Sequence, residues 1–269
     1  MNLAFCPLAS SSQGNSYVIK SEDTILLLDA GITGIRIEKA LKFLKVRERY
    51  VKGLLITHEH IDHVKGASPV LTYAPWCNIY CSKGTAANIK SKVSTMTDER
   101  TCIVNTKKSF MIGDIEVKAF SVSHDAKEPL AFSFKKNGKK ISVVTDTGKV
   151  TEEIQKAIAD SDILVIESNH EENILLYGKY PYHVKRRILS DEGHLSNVAA
   201  GECICNFLKS LKTPKIPYVF LAHLSQENNT PQQAILTIRN ILEEQDLYIG
   251  KDLRLDVIDS EEVNDFIVI

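Results

Sequence analysis

The sequence predicts an α/β protein made of two stacked β-sheets with helices outside them, and three observations carry that expectation. Short runs rich in Val, Ile and Leu recur along the chain, and each ends in a residue with metal-ligating or catalytic chemistry. Amphipathic stretches of helical period lie between these runs. The runs fall early and late in each half of the chain, which fits two sheets better than one doubly wound sheet.

Taken in order, residues 24–28 (Thr-Ile-Leu-Leu-Leu) form the first such run and end in Asp29-Ala30-Gly31. Residues 35–46 follow as a helix with Ile37, Ala40, Leu41 and Leu44 on one face. The run at 53–56 leads into His58-Glu59-His60-Ile61-Asp62-His63, and the alternating segment 115–122 ends in Ser123-His124-Asp125. Asn137-Gly138, between 131–134 and 141–144, has the chemistry of a hairpin turn. The run at 141–145 ends in Asp146-Thr147-Gly148, and residues 150–159 form a helix with Ile154, Ala157 and Ile158 inward. Residues 163–166 end in Glu167-Ser168-Asn169-His170; a helix covers 196–211, and 218–222 end in His223-Leu224-Ser225. Thr230-Pro231-Gln232-Gln233 opens the last helix with capping-box spacing and a proline in the first turn. No Pro/Gly/Ser-rich linker interrupts the 269 residues, so a single domain is expected over 1–269.

Four potential metal ligands within six residues make 58–63 the most informative segment. His58 and His60 alternate on one side of an extended stretch and can share an ion, while the turn after them aims Asp62 and His63 at a neighbouring position. Two ions side by side follow. Imidazole and carboxylate donors without thiolate suit zinc or manganese in a catalytic site.

The H-x-H-x-D-H motif, the Asp29 strand before it and the solitary His124, Asp146 and His223 after it resemble the metallo-β-lactamase superfold over nearly the whole chain. Narrower features resemble its bacterial YycJ/WalJ branch, related to exonuclease-type and tRNA-processing members. These are Ser10-Ser11-Ser12-Gln13-Gly14-Asn15-Ser16, Ser123-His124-Asp125, Glu167-Ser168-Asn169-His170, Gly193-His194-Leu195-Ser196-Asn197 and His223-Leu224-Ser225. Gln13 stands where that pattern has a small residue and Glu171 where it has Asp. The resemblance implies a four-layer αββα sandwich and a two-metal hydrolase of nucleic-acid phosphodiesters, with DNA attacked from an end. It places one ion on His58, His60 and His124, the second on Asp62, His63 and His223, Asp146 between them, and Asp29 behind the motif loop.

Phosphodiester hydrolysis also needs a proton for the departing sugar oxygen. His194, in a Gly-containing turn before a helix, is the expected acid, and Glu167 at a strand end its orienting partner; Asp62 joins them in the catalytic set. For the phosphate, the sequence offers a loop at 10–16 with Ser10 and Asn15, the strand end Ser168-Asn169, and the helix start Ser196-Asn197. A further source is the segment 177–187, where tyrosines interleave with Lys179, Lys185, Arg186 and Arg187 in the manner of a nucleic-acid contact strip. His170 and His183 are additional cleft candidates. Between Glu167 and His194 there is no large insertion, so an open cleft without a capping domain is expected.

A net charge of −1 and a pI near 6.7 exclude a general electrostatic nucleic-acid binder, so affinity must come from a local strip and the metals. The six cysteines show no C-x2-C pair and fit buried, reduced thiols of a cytoplasmic protein. Neither a basic amino-terminal leader nor a membrane-length apolar stretch occurs, so no membrane partner is expected. Two other functions share these residues. A thioester or lactam hydrolase keeps the metal ligands but has no use for His194. A non-catalytic metal-binding regulator linked to cell-envelope signalling has no use for seven intact ligands.

Overall fold

The computed structural model describes residues 3–258 and 263–269. In chain order the strands are β1 (Ala4–Ser11), β2 (Gly14–Lys20), β3 (Ile25–Leu28), β4 (Val51–Leu55), β5 (Asn78–Cys81), β6 (Thr101–Ile103) and β7 (Phe110–Ile112). They continue as β8 (Ile115–Ser121), β9 (Leu130–Lys136), β10 (Lys139–Val144), β11 (Ile163–Glu167), β12 (Tyr218–Ala222), β13 (Arg254–Val257) and β14 (Ile267–Val268). Two mixed seven-stranded sheets result, ordered β14-β1-β2-β3-β4-β5-β6 and β13-β12-β11-β10-β9-β8-β7.

Strands β3 to β6 pair in parallel, as do β10 to β13, whereas β1, β2 and β3 pair antiparallel. Parallel strands are covered on both faces, which is why Ile-Leu-Leu-Leu and Ile-Leu-Val-Ile-Glu read as unbroken apolar runs rather than alternations. The connections between parallel strands carry helices: α1 (Gly34–Phe43), α2 (Ile61–Val64), α3 (Ala67–Tyr73), α4 (Lys83–Ile89), α5 (Glu152–Ile158), α6 (Glu172–Tyr177), α7 (Tyr182–Ile188), α8 (Asn197–Lys209) and α9 (Pro231–Glu243). Thr33, Ser82, Thr151, Ser196 and Thr230 cap α1, α4, α5, α8 and α9 by accepting a backbone N–H from inside the first turn.

Helix α1 stops at Phe43, short of the expected 46. Lys45 takes φ 55° there, its N–H meets Lys42 O and the Val46 N–H meets Leu41 O at 2.8 Å, a Schellman closure. Asn137 and Gly138, both at positive φ, form the expected hairpin turn. The expected loop at 10–16 is corrected: Ser10 and Ser11 end β1, Asn15 and Ser16 lie in β2, and all four side chains are buried. Their polar groups are satisfied within the hairpin and by Asp29 O and His63, which a run of serines does not announce.

The chain divides into two compact units. One takes the chain as far as Ala119, then Ala126–Lys139 and the carboxy-terminal segment; the other takes Phe120–Asp125 and Lys140–Ile258. In the first, Val18, Leu27 and Leu54 of the sheet and Ile56 just after β4 pack with Ile37, Leu41, Val70 and Leu71 of α1 and α3. In the second, Ile154 and Ile158 of α5, Ile204 and Phe207 of α8 and Ile238 of α9 are fully buried. All six cysteines are free thiols, and burial pushes those of Cys6, Cys77, Cys81 and Cys203 up to about 12. Among the described residues no helix is long and apolar enough to cross a membrane.

Candidate metal centre

Three strands deliver a site residue just beyond their carboxyl ends in left-handed backbone: Asp29 after β3, Asp146 after β10 and His223 after β12, at φ 58°, 56° and 57°. Asp and His tolerate this region better than branched residues, and such conformations concentrate at functional sites. Each reverses the chain where the sheet stops.

In the first unit, the buried Asp29 carboxylate organises the motif. Its Oδ1 accepts the Thr57 N–H at 2.8 Å; its Oδ2 accepts the Thr57 hydroxyl at 2.9 Å and lies 2.8 Å from His63 Nδ1. A carboxylate only accepts, so Nδ1 carries the proton and Nε2 the lone pair. Burial pushes the Asp29 carboxyl up, against the pull of His63 and Thr57. Thr57 Oγ1 is also 3.0 Å from His58 Nδ1, which turns His58 Nε2 toward His60 Nδ1 at 3.0 Å. Asp62 Oδ2 lies 3.5 Å from His63 Nε2, and Asn15 Nδ2 is 3.2 Å from that nitrogen. Ser10 donates to Asn15 Oδ1 at 3.2 Å. Gly31 is required here, since a Cβ would sit 1.5 Å from Asp62 O.

In the second unit the organiser is Glu167, fully buried at the end of β11. Its Oε1 lies 2.7 Å from His194 Nδ1 and 2.8 Å from His223 Nδ1, while Oε2 accepts the Thr147 and Leu195 N–H groups at 3.0 and 3.3 Å. Burial works against the charge, yet His194 and His223 hold the Glu167 carboxyl well below its usual range. His124 Nδ1 lies 3.2 Å from Gly193 O, and burial lowers the pKa of this ring. Asp146 Oδ1 is 3.5 Å from His223 Nδ1 and 3.8 Å from His124 Nε2. Asp146, Glu167, His194 and His223 each offer a ligand atom within 4.8 Å of the others.

The donor chemistry of both sets fits a divalent ion. His58, His63, His124, His194 and His223 each have Nδ1 engaged by a protein oxygen, which is how metal-binding imidazoles are commonly held with Nε2 turned to the ion. Nitrogen and carboxylate donors without thiolate match zinc or manganese.

The expected phosphate-binding residues are placed as follows. Ser168 donates to Asn197 Oδ1 at 2.6 Å, and Asn169 donates to His223 O at 2.9 Å. Ser196 caps α8 and donates to Glu172 Oε1 at 2.8 Å; Asn197 donates to Glu171 Oε2 at 3.1 Å. Lys185 donates to Leu176 O and Gly178 O. His170 is buried with neither ring nitrogen hydrogen-bonded to any described residue, and burial pushes its pKa down to about 4. His183 is exposed. Sequence reasoning assigned no role to Thr57 and Thr147, polar residues directly after or near apolar runs, or to Asp125 of the Ser123-His124-Asp125 motif, whose Oδ1 lies 3.3 Å from His124 Nε2. A polar residue closing a buried strand was the available signal.

The beta-lactamase superfamily domain model matches residues 24–217. The chain is 35% identical to the exodeoxyribonuclease YycJ of Bacillus anthracis, over 93% of both chains. It is 36% identical to the exodeoxyribonuclease WalJ of Streptococcus pneumoniae serotype 2, over 92% of this chain and 91% of that one. The chain belongs to the beta-lactamase superfamily, in its YycJ/WalJ branch. The superfamily's α/β sandwich recurs in the metallo-beta-lactamase fold protein YhfI from Bacillus subtilis, at TM-score 0.73 and 13% identity over 98% of this chain and 100% of that one. Within this superfamily the chain is a metal-dependent hydrolase.

Proposed function

We propose that this hydrolase is a nuclease that cleaves DNA phosphodiesters from an end, with two divalent ions, zinc or manganese, and His194 as general acid. One observation carries the reading: the buried Glu167 carboxylate that holds Nδ1 of both His194 and His223. It keeps His194 in the tautomer whose Nε2 receives and delivers a proton, beside an imidazole of the metal set, with ring centroids 5.2 Å apart. A sugar alkoxide needs that proton to depart, whereas a thiolate leaves without one. The exodeoxyribonuclease activity for which both relatives are named supports the polymer and the mode of attack.

In this reading His58, His60 and His124 would hold one ion and Asp62, His63 and His223 the other, with Asp146 as a further carboxylate donor. When bound, the ions supply an activated water and neutralise charge on the phosphoryl oxygens. Asp29 and Glu167 position the imidazoles, and Asn169 holds the His223 main chain. Six free thiols agree with a cytoplasmic location.

The test is hydrolysis of end-labelled single- and double-stranded DNA and RNA with added zinc or manganese, alongside Asp62→Ala and His194→Ala. DNA shortened from one end, with turnover lost in Asp62→Ala, is the expected result. His194→Ala should lose about 10²–10⁴-fold on DNA and far less on a nitrophenyl phosphodiester, whose leaving group needs no proton. Turnover of thioesters with every polymer left intact would overturn the proposal.

A further inference from the structure

A strip of tyrosines and cations runs from the end of α6 through α7. Residues 173–190 contain Lys179, Lys185, Arg186 and Arg187 and no acidic side chain, in a chain whose net charge is −1. Helix α7 fully buries none of its residues, and only Val184, Lys185 and Ile188 are half-buried. Tyr177 is 89% and Tyr182 77% exposed, an unusual cost for large aromatic rings. Lys179 and Arg186 are exposed as well, and neither forms an ion pair among the described residues. The Lys185 ammonium, spent on the carbonyls of Leu176 and Gly178, fastens α7 to the end of α6.

The strip is also tied to the proposed acid. The His194 N–H donates to Ile188 O at 3.0 Å and the Gly193 N–H to Ser190 O at 2.9 Å, so the last turn of α7 sets the His194 backbone. Only glycine fits at 193, where a Cβ would lie 2.1 Å from Ile188 O.

We propose that residues 177–187 are a docking strip for single-stranded nucleic acid, with bases stacked on Tyr177 and Tyr182 and phosphates on Lys179 and Arg186. The proposal rests on the nuclease reading above and adds where the strand is gripped before its end reaches His194. Aromatic faces stack on any base and cations follow the backbone, so the strip grips an unpaired strand without reading its sequence.

The experiment measures binding of a fluorescent, hydrolysis-resistant phosphorothioate single strand to the full-length, metal-loaded protein across a salt series. Tyr177→Ala and Tyr182→Ala should each weaken binding roughly tenfold. Lys179→Ala with Arg186→Ala should flatten the slope of log affinity against log salt by about 1.4. Lys156→Ala, at an exposed cation of α5 paired with Glu152, should leave binding as it is. Unchanged melting temperatures are expected, since the substituted side chains are exposed.

Strip variants that bind the strand as the unaltered protein does would overturn the proposal. So would an equal loss in Lys156→Ala, which would mean diffuse charge alone. A loss of binding to anionic phosphatidylserine vesicles, with strand binding intact, would assign the strip to a membrane surface instead. Strand binding that depends on the strip in a protein that hydrolyses no polymer would uphold the strip and overturn the nuclease reading.

Discussion

Asp29 and Glu167 perform one task, fixing imidazoles through Nδ1, but they are built differently. Asp29 gives one oxygen to the Thr57 N–H and the other to the Thr57 hydroxyl and His63, whereas Glu167 gives one oxygen to two imidazoles and the other to two backbone N–H groups. Glu167→Gln therefore has no good orientation, because its NH₂ meets either two imidazole N–H donors or the N–H groups of Thr147 and Leu195. Metal affinity should fall about 10–100-fold, read by titration with zinc against a competing chelator; full affinity in this variant would refute the assignment of Glu167 as positioning residue. Asp29→Ala strips His63 and Thr57 of their acceptor in a buried site and should lower the unfolding free energy by about 3–5 kcal/mol in urea. Of these contacts, the sequence showed the ligand types but not Thr57, because its partners Asp29 and His63 are set by tertiary pairing.

At the scale of elements, the turn after β3 and the motif turn are fitted together through Gly31. Gly31→Ala places a methyl inside the Asp62 carbonyl, so the motif turn must move. We expect a loss of about 3 kcal/mol or more, with metal binding lost in parallel, measured by urea unfolding and metal content; a fully metallated, stable variant would contradict this packing. The turn between β7 and β8 is pinned by Asp114, which accepts from Ser21 at 2.6 Å and pairs with Lys136. Partial burial opposes its charge, but Lys136, Ser21 and Thr24 hold its carboxyl well below the ordinary range. A depressed folded pKa stabilises above the unfolded value near 3.9 and loses that contribution as pH falls through the folded one. Stability should therefore drop below about pH 4 less steeply in Asp114→Asn than in the unaltered protein, as followed by urea midpoints.

For the whole molecule, ligand sets that bind metal only when folded make the ions part of its stability. Zinc or manganese at about 100 times its dissociation constant should add about 2.7 kcal/mol, seen as a higher melting temperature that a chelator reverses. A melting temperature indifferent to both would argue against folded metal sites. By itself the sequence determined the strands that end at the site, the longer helices between them and the donor residues. Apolar periodicity and side-chain chemistry are local properties, so the runs ending at Leu28, Ile166 and Ala222 were legible, as were the caps Thr230 and Ser196. Only the tertiary structure decided that the serines at 10–16 lie in a hairpin, that Asp29, Asp146 and His223 turn in left-handed backbone, and that Glu167 holds histidines 27 and 56 residues away. Those features arise where distant segments must satisfy each other's buried polar groups, and no window of sequence contains both partners.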